Sequence, residues 1–182
     1  MITFIFEYLA FLAFIIIFVY LPGKLFINKL QLKLKSPHDL FFPFGIGLML
    51  FTLVSYAISW LKLEILLFPI FLIIDYVVIK SGKWLPAPLE KKHTKALVFV
   101  VFLAVIFSFT MLSTGKFGDA IGMRHDDSWH LALINELKAH FPPDNPGIAG
   151  VPLKGYHFFY NFVLAKISNL FFISPFTLHF QL

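Results

Sequence analysis

The sequence predicts an all-α, polytopic membrane protein with about five transmembrane helices and one amphipathic helix at the membrane surface. The 182 residues are 59% hydrophobic and only 14% charged, whereas soluble domains carry about 25% charged residues. In addition, long stretches stay apolar over close to the roughly 20 residues that a helix needs to cross the hydrocarbon. Residues 1–182 are therefore expected to form a single transmembrane domain.

The predicted spans are separated by charged and turn-forming connections. The first span has no basic N-terminal region and no small-residue cleavage site, so a retained helix is expected rather than a cleaved signal. Pro43, Gly45 and Gly47 in the second span predict close helix packing with a local bend. The spans cover residues 2–21, 40–60, 64–80, 96–113 and 156–175.

Lysines in the connections predict the orientation of the chain. Cytoplasmic loops of membrane proteins are enriched in Lys and Arg, so the segments after spans one and three are expected inside. The N-terminus, the turn around Lys62 and Glu64, and the loop 114–155 are then extracytoplasmic, in the plasma membrane of a prokaryote. The lysines concerned are Lys24, Lys29, Lys33, Lys35, Lys80, Lys83, Lys91, Lys92 and Lys95.

Asp75 in the third predicted span and Lys166 in the fifth are ionisable residues deep within a span. Both lie about ten residues from the outer ends of their helices, which at 1.5 Å per residue puts them at similar depth. Because intramembrane charges usually face the bundle interior and pair, an Asp75–Lys166 pair or a shared polar cluster is predicted. The alternative is a shift in register that brings the charges nearer the membrane surface.

Composition limits the classes of partner and of chemistry. The formal charge of +5 accompanies lysine-rich loops and no nucleic-acid-binding motif, so membrane lipids are the expected partners and nucleic acid is not. The chain has no cysteine, which excludes disulfides, thiolate metal ligands and a thiol nucleophile.

The outer loop 114–155 contains a predicted helix of about a dozen residues. Trp129, Leu133, Leu137 and Phe141 recur every fourth residue and, together with Ile134, form an apolar stripe. Such a helix can lie flat at the membrane surface, and the prolines that follow it, Pro142 and Pro143, end it. The segment "DNPGIAGVPLKG" is expected to be a turn-rich loop.

Asp126 and Asp127 stand at the start of this helix, where an acid can simply cap the helix and favour its dipole. The functional alternative rests on His130, one turn later. Two carboxylates beside an imidazole can serve as a general base with an orienting partner, or as ligands for a hard divalent cation such as Mg²⁺ or Mn²⁺. Arg124 could hold a phosphate.

The other histidines are given smaller roles. A zinc site built from His125, His130 and a carboxylate is possible by ligand type but matches no standard spacing. His38, His93 and His179 are interpreted as loop or end residues without chemistry.

Three motifs in the outer loop carry a resemblance to a known family: "D-x-W-H-x-x-L-I-x-x-L" from Asp127, "F-P-P-x-N-P" from Phe141 and "G-x-P-L-K-G-Y-H-F-F-Y" from Gly150. In this order they resemble the GT-C superfamily of integral-membrane glycosyltransferases, in particular the outer loop of the oligosaccharyltransferase catalytic subunit and of mannosyltransferases. The resemblance covers residues 114–162. The family usually places this loop after the first span, whereas here it follows the fourth, on the same face of the membrane.

The resemblance implies an enzyme that moves a sugar from a polyprenyl-phosphate carrier to an acceptor at the outer face. Asp127 occupies the position of the essential acid, as base or metal ligand, with Asp126 and His130 assisting. Arg124 and Lys154 would lie near the lipid phosphate, and Tyr156 and His157 would help to bind the substrate. Family members are much longer, so the chain is expected to be the N-terminal fragment of a longer protein.

A non-catalytic membrane protein is the alternative hypothesis, either a component of a polyprenyl-lipid transporter or a scaffold. Catalysis requires Asp126, Asp127, His130 and His157 to converge on one open site, whereas a capping role points the acids at backbone amides.

Overall fold

The computed structural model describes residues 2–35, 37–86, 88, 93–95, 98–99, 102–103, 106 and 125–180. This part of the chain is mostly helical and includes a small antiparallel pair of strands. The fourth predicted span, 96–113, is described only at 98–99, 102–103 and 106, all of which are helical, and otherwise lies outside the described residues.

The first helix is longer than the predicted span. Helix α1 (Ile2–Phe14) continues through a π-helical segment (Ile15–Tyr20) into α2 (Leu21–Lys29). In the π-helical geometry the Leu21 N–H donates to the Ile16 carbonyl, and Pro22, which has no N–H to donate, follows directly. Lys24 and Lys29, expected in a loop, are therefore helical.

The second long helix, α3 (His38–Trp60), packs closely against the first. A Cβ atom on Gly47 would overlap the Val19 carbonyl, and one on Gly23 would overlap the Pro43 carbonyl. The predicted close packing is therefore confirmed at Gly47. It is wrong for Gly45, where an added Cβ would meet open space.

Among the described residues, two helices are long and apolar enough to cross a membrane, Ile5–Lys29 and His38–Trp60. After a 3-10 turn (Glu64–Leu66), helix α4 (Leu67–Lys80) has 14 residues, about 21 Å at 1.5 Å per residue. The predicted count of five spans is therefore not confirmed.

The helix predicted within residues 114–155 is confirmed as α5 (His125–Ala139). Its apolar stripe is buried within the protein, with Leu133, Ile134 and Leu137 at most 1% exposed, rather than turned toward lipid. The loop predicted after it contains a hairpin of β1 (Asp144–Asn145) and β2 (Ile148–Pro152). The Asn145 side chain accepts a hydrogen bond from the Gly147 N–H at 2.9 Å and so stabilises the turn.

The fifth predicted span is not one continuous helix. Helix α6 (Phe159–Phe171) has 13 residues, about 20 Å against a hydrocarbon thickness of about 30 Å. It ends at Phe172 in the left-handed conformation, and the chain reverses into the short helix α7 (Pro175–Phe180). Helix α7 packs against both α5 and α6, so the chain folds back toward the start of α6.

Lys166 pairs with a different acid from the one predicted. Its ammonium group contacts Glu64, whose Oε1 atom also accepts a hydrogen bond from the Ser59 hydroxyl at 3.0 Å. Lys166 therefore lies beside the turn between α3 and α4 and not level with Asp75. The predicted Asp75–Lys166 pair is corrected accordingly, and the buried Oδ1 atom of Asp75 has no hydrogen-bond partner in the described part.

Phenylalanine rings from several helices form the core that joins these elements. Phe14 and Phe18 of the first helix meet Phe51 of α3, with ring centroids 5.0 and 5.8 Å apart, and Phe18 lies 4.9 Å from Phe71 of α4. Phe171 at the end of α6 lies 5.4 Å from Phe18. The tip of the α6–α7 reversal is thereby fixed against the long helices.

Candidate functional site

Helices α5 and α6 lie side by side and run in the same direction. His130 of α5 contacts Asn161 of α6, and further along the Asn169 amide donates to the Lys138 carbonyl at 3.2 Å. Both pairs are separated by 31 residues, so the register is the same at each. This packing brings the start of α5, with its two acids, next to the start of α6.

A polar group of side chains from three helices forms at this point, which we call the Asp127 cluster: Asp127, His130, Tyr160, Asn161 and His179. His179 of α7 connects it. Its Nε2 atom lies 3.5 Å from Oδ1 of Asp127, and its Nδ1 atom lies 3.3 Å from the Tyr160 hydroxyl. The reversal after α6 is what brings His179 to this position.

His130 is held by a buried amide. Its Nδ1 atom lies 3.0 Å from Oδ1 of Asn161, a residue with no exposed surface. With the amide in this orientation, neutral His130 carries its proton on Nδ1, which leaves Nε2 as a hydrogen-bond acceptor. The His130 ring lies 5.6 Å from that of His179 and 6.4 Å from that of Tyr160, centroid to centroid.

Solvent can reach the Asp127 carboxylate in this cluster. The Asp127 side chain is 26% exposed, whereas that of His179 is 10% exposed. A carboxylate oriented by a more buried imidazole can take up a proton from a molecule arriving at the surface. The arrangement therefore provides a reachable base, an orienting histidine and a second histidine with an acceptor nitrogen.

The structure brings together some of the predicted site residues and not others. Asp127 and His130 belong to the cluster, and the Tyr156 ring lies 6.5 Å from that of His130. Asp126, Lys154 and His157 are exposed, and none of the hydrogen bonds or ion pairs seen within the cluster involves them. Arg124 lies outside the described residues, as does the side chain of His125.

A divalent cation finds no complete site in the described part of the chain. No three residues of the types His, Cys, Asp and Glu lie close enough there to hold a metal ion. Asp126 and Asp127, the expected ligands, do not fit such a group on their own, so we derive no step through a metal.

His179 is the residue that the sequence prediction missed. It was interpreted as a loop or end residue without chemistry. Tyr160 and Asn161 lie near the start of the fifth predicted span, 156–175. The signal that could have identified the reversal is the segment "ISPFTLH", in which Ser174, Pro175 and Thr177 interrupt the apolar run before it reaches the length of a crossing.

A second polar region lies at the other end of α5. It is an open cleft of about 600 Å³ between the α3–α4 turn and the segment after α5, lined by Ser59, Lys62, Glu64, Ile65, Ala139, His140, Phe141 and Pro142. His140 lies 3.7 Å from both Glu136 and Asp144. The turn and the end of α5, both expected on the outer face, therefore share one surface.

Comparisons with protein-family models, with curated proteins and with solved structures find no match to this chain.

Proposed function

We propose that this chain belongs to an integral-membrane glycosyltransferase that moves a sugar from a polyprenyl-phosphate carrier to an acceptor at the outer face. The observation that carries the proposal is the Asp127 cluster, in which a reachable carboxylate lies against His179 while His130 lies beside it. It stands at the position where the resemblance to the GT-C superfamily puts the essential acid.

Exposed apolar side chains support a membrane environment. Leu53 of α3 is 58% exposed and Ile73 of α4 is 65% exposed, and many other large apolar residues on these helices face outward. Contiguous exposed apolar surface of this kind is rare on soluble monomers and marks surfaces that contact lipid or another protein. Together with two helices of sufficient length, it supports a chain embedded in lipid. We propose that the first four predicted spans cross the membrane and that α6 and α7 form a re-entrant pair in place of the fifth.

The contacts at each end of the long helices support the proposed orientation. Segments expected inside contact one another: the Asn28 amide donates to the Lys83 carbonyl at 3.0 Å, and the Tyr20 hydroxyl donates to the Trp84 carbonyl at 3.1 Å. At the other end, Glu64 of the outer turn contacts Lys166. Segments expected inside thus lie at one end of the long helices and segments expected outside lie at the other, as alternating inner and outer loops require.

The proposed reaction is a substitution at the anomeric carbon of the sugar. An acceptor hydroxyl or amide forms a bond to that carbon while its proton passes to the Asp127 carboxylate. The bond between the anomeric carbon and the carrier phosphate breaks, and its electron pair leaves with the lipid phosphate. His179 orients Asp127, His130 offers an acceptor to the substrate, and Lys154 and Arg124 would balance the charge of the phosphate.

Asp127→Asn tests the proposal because an amide of nearly the same shape cannot take up the proton. Transfer of a labelled sugar from polyprenyl phosphate, measured with membranes containing the full-length protein across a panel of sugars, should fall by about 100-fold or more. Asp144→Asn is the matched control, since Asp144 lies on the same segment near His140, outside the Asp127 cluster. Membrane levels of both variants should equal that of the unsubstituted protein.

Transfer that survives Asp127→Asn at an unchanged rate would contradict the assignment. If the unsubstituted protein binds the lipid-linked sugar but transfers nothing, the accessory function, as a transporter component or scaffold, replaces the transferase.

A further inference from the structure

Glu7, an acid inside the first apolar helix, links that helix to the reversal that carries His179. Its Oε1 atom accepts a hydrogen bond from the Ser174 backbone N–H at 2.9 Å, and its Oε2 atom accepts one from the Thr177 hydroxyl at 2.7 Å. These partners are 167 and 170 residues away in sequence. Both oxygens of the carboxylate are therefore used to hold one segment in place.

The segment that Glu7 holds is packed through two apolar side chains, Ile173 and Leu178, which are buried in the core, and needs polar contacts to set its orientation. Helix α7 has only six residues, and helices this short do not form stably without tertiary contacts. The Ser168 hydroxyl donates to the Ile173 carbonyl at 2.7 Å and fixes the start of the reversal. From Ser174 onward the described polar contacts to the long helices are those of Glu7.

His179 lies two residues after Thr177 on this short helix. Its distance of 3.5 Å to Asp127 is at the limit of a hydrogen bond, so a small displacement of α7 would break the contact. We propose that Glu7 is a positioning residue for the candidate site, which sets His179 against Asp127. The proposal rests on the proposed function only for its effect on transfer, because the geometry can be tested separately.

Substitutions at Glu7 separate its hydrogen bonds from its charge. In Glu7→Gln the carbonyl oxygen can still accept from Ser174 and the amide can donate to the Thr177 oxygen, so both contacts survive. In Glu7→Leu both contacts are lost in a side chain of similar size. Leu9→Ala is the control on the same helix, because Leu9 is 55% exposed.

The first experiment measures geometry in the natural absence of cysteine. Cysteines replace Asp127 and His179, and the yield of a short bifunctional cross-linker is measured in the full chain in membranes. Relative to unsubstituted Glu7, Glu7→Leu should lower the yield at least fivefold, whereas Glu7→Gln and Leu9→Ala should keep it. An unchanged yield in Glu7→Leu would overturn the proposal, whether or not the protein transfers sugar.

The second experiment measures transfer. Glu7→Leu should lower kcat about tenfold with KM little changed, and Glu7→Gln should restore the rate. On a His179→Ala background Glu7→Leu should cause no further loss, because its effect passes through His179. Independent, multiplying losses would show that Glu7 acts on general stability and would overturn the positioning role. If no transfer is measurable at all, the proposed function fails while the cross-linking result still decides the role of Glu7.

Discussion

His179 and Asn161 determine what the residues at the start of α5 can do. His179 contacts Asp127 through one ring nitrogen and Tyr160 through the other, so Asp127 belongs to a packed polar group. Asn161 is fully buried and faces His130. A buried amide is costly to keep unless it is hydrogen-bonded. The contact with His130 pairs the Asn161 oxygen and orients the imidazole, whereas the buried Nδ2 atom of Asn161 has no hydrogen-bond partner among the described residues.

We expect Asn161→Leu to destabilise the protein by about 1–3 kcal/mol, because it leaves a ring nitrogen of His130 without its partner. Thermal unfolding in detergent micelles should show the loss as a lower Tm. Adding His130→Phe should recover part of it, since replacing both partners by apolar groups removes the unpaired atom. Asn135→Leu, on the exposed face of α5, should leave Tm unchanged, and an Asn161→Leu variant as stable as this control would contradict the role of the contact.

The two long helices depend on glycine at their crossing. Gly23 and Gly47 lie where the backbones approach, each against a carbonyl of the other helix. Close approach through small residues is a common way for helices to associate in membranes, where lipid provides no hydrophobic driving force. The buried Lys24–Asp39 pair, 2.5 Å apart, lies near the same crossing and adds a polar contact between the helices.

Gly47→Ala should destabilise the helix pair by about 1–3 kcal/mol, the usual cost of overpacking. The neighbouring glycine gives a matched comparison: Gly45→Ala meets open space and should be neutral or stabilising by up to about 1 kcal/mol. Denaturation in mixed micelles measures both. Equal stability of the two variants would show that the helices can separate without cost.

The sequence predicted individual helices more accurately than it predicted how the chain runs from one helix to the next. The apolar stripe of Leu133, Ile134 and Leu137 predicted helix α5 correctly, because helical periodicity is a local property of the sequence. The reversal after α6 depends on contacts with Glu7 and Phe18, which are far away in sequence, and apolar composition alone does not reveal where a chain reverses. For the same reason Lys166 was assigned to Asp75 by depth, whereas the fold sets it beside Glu64.

At the scale of the whole molecule, the contacts divide into two ends. The inner end, as proposed, joins α2 to the segment after α4 through Asn28 and Lys83. At the opposite end Glu64 and Glu7 attach α6 and the segment of α7 to the rest of the protein, and the Asp127 cluster joins α5, α6 and α7. Every candidate functional residue described lies at this second end, where a headgroup-linked substrate would meet it.

Single cysteines in the naturally cysteine-free chain test this division. We expect Lys33→Cys and Lys83→Cys to react with a membrane-impermeant maleimide only after permeabilisation, and Lys154→Cys to react from outside in intact cells; all three lysines are exposed. Lys83 is the decisive position for α4, because if α3 crosses and α4 does not, Lys83 falls on the side opposite Lys33. Labelling of Lys83→Cys from outside, with Lys33→Cys protected, would show that α4 does not cross the membrane, whereas protection of Lys154→Cys in intact cells would place the Asp127 cluster on the cytoplasmic face.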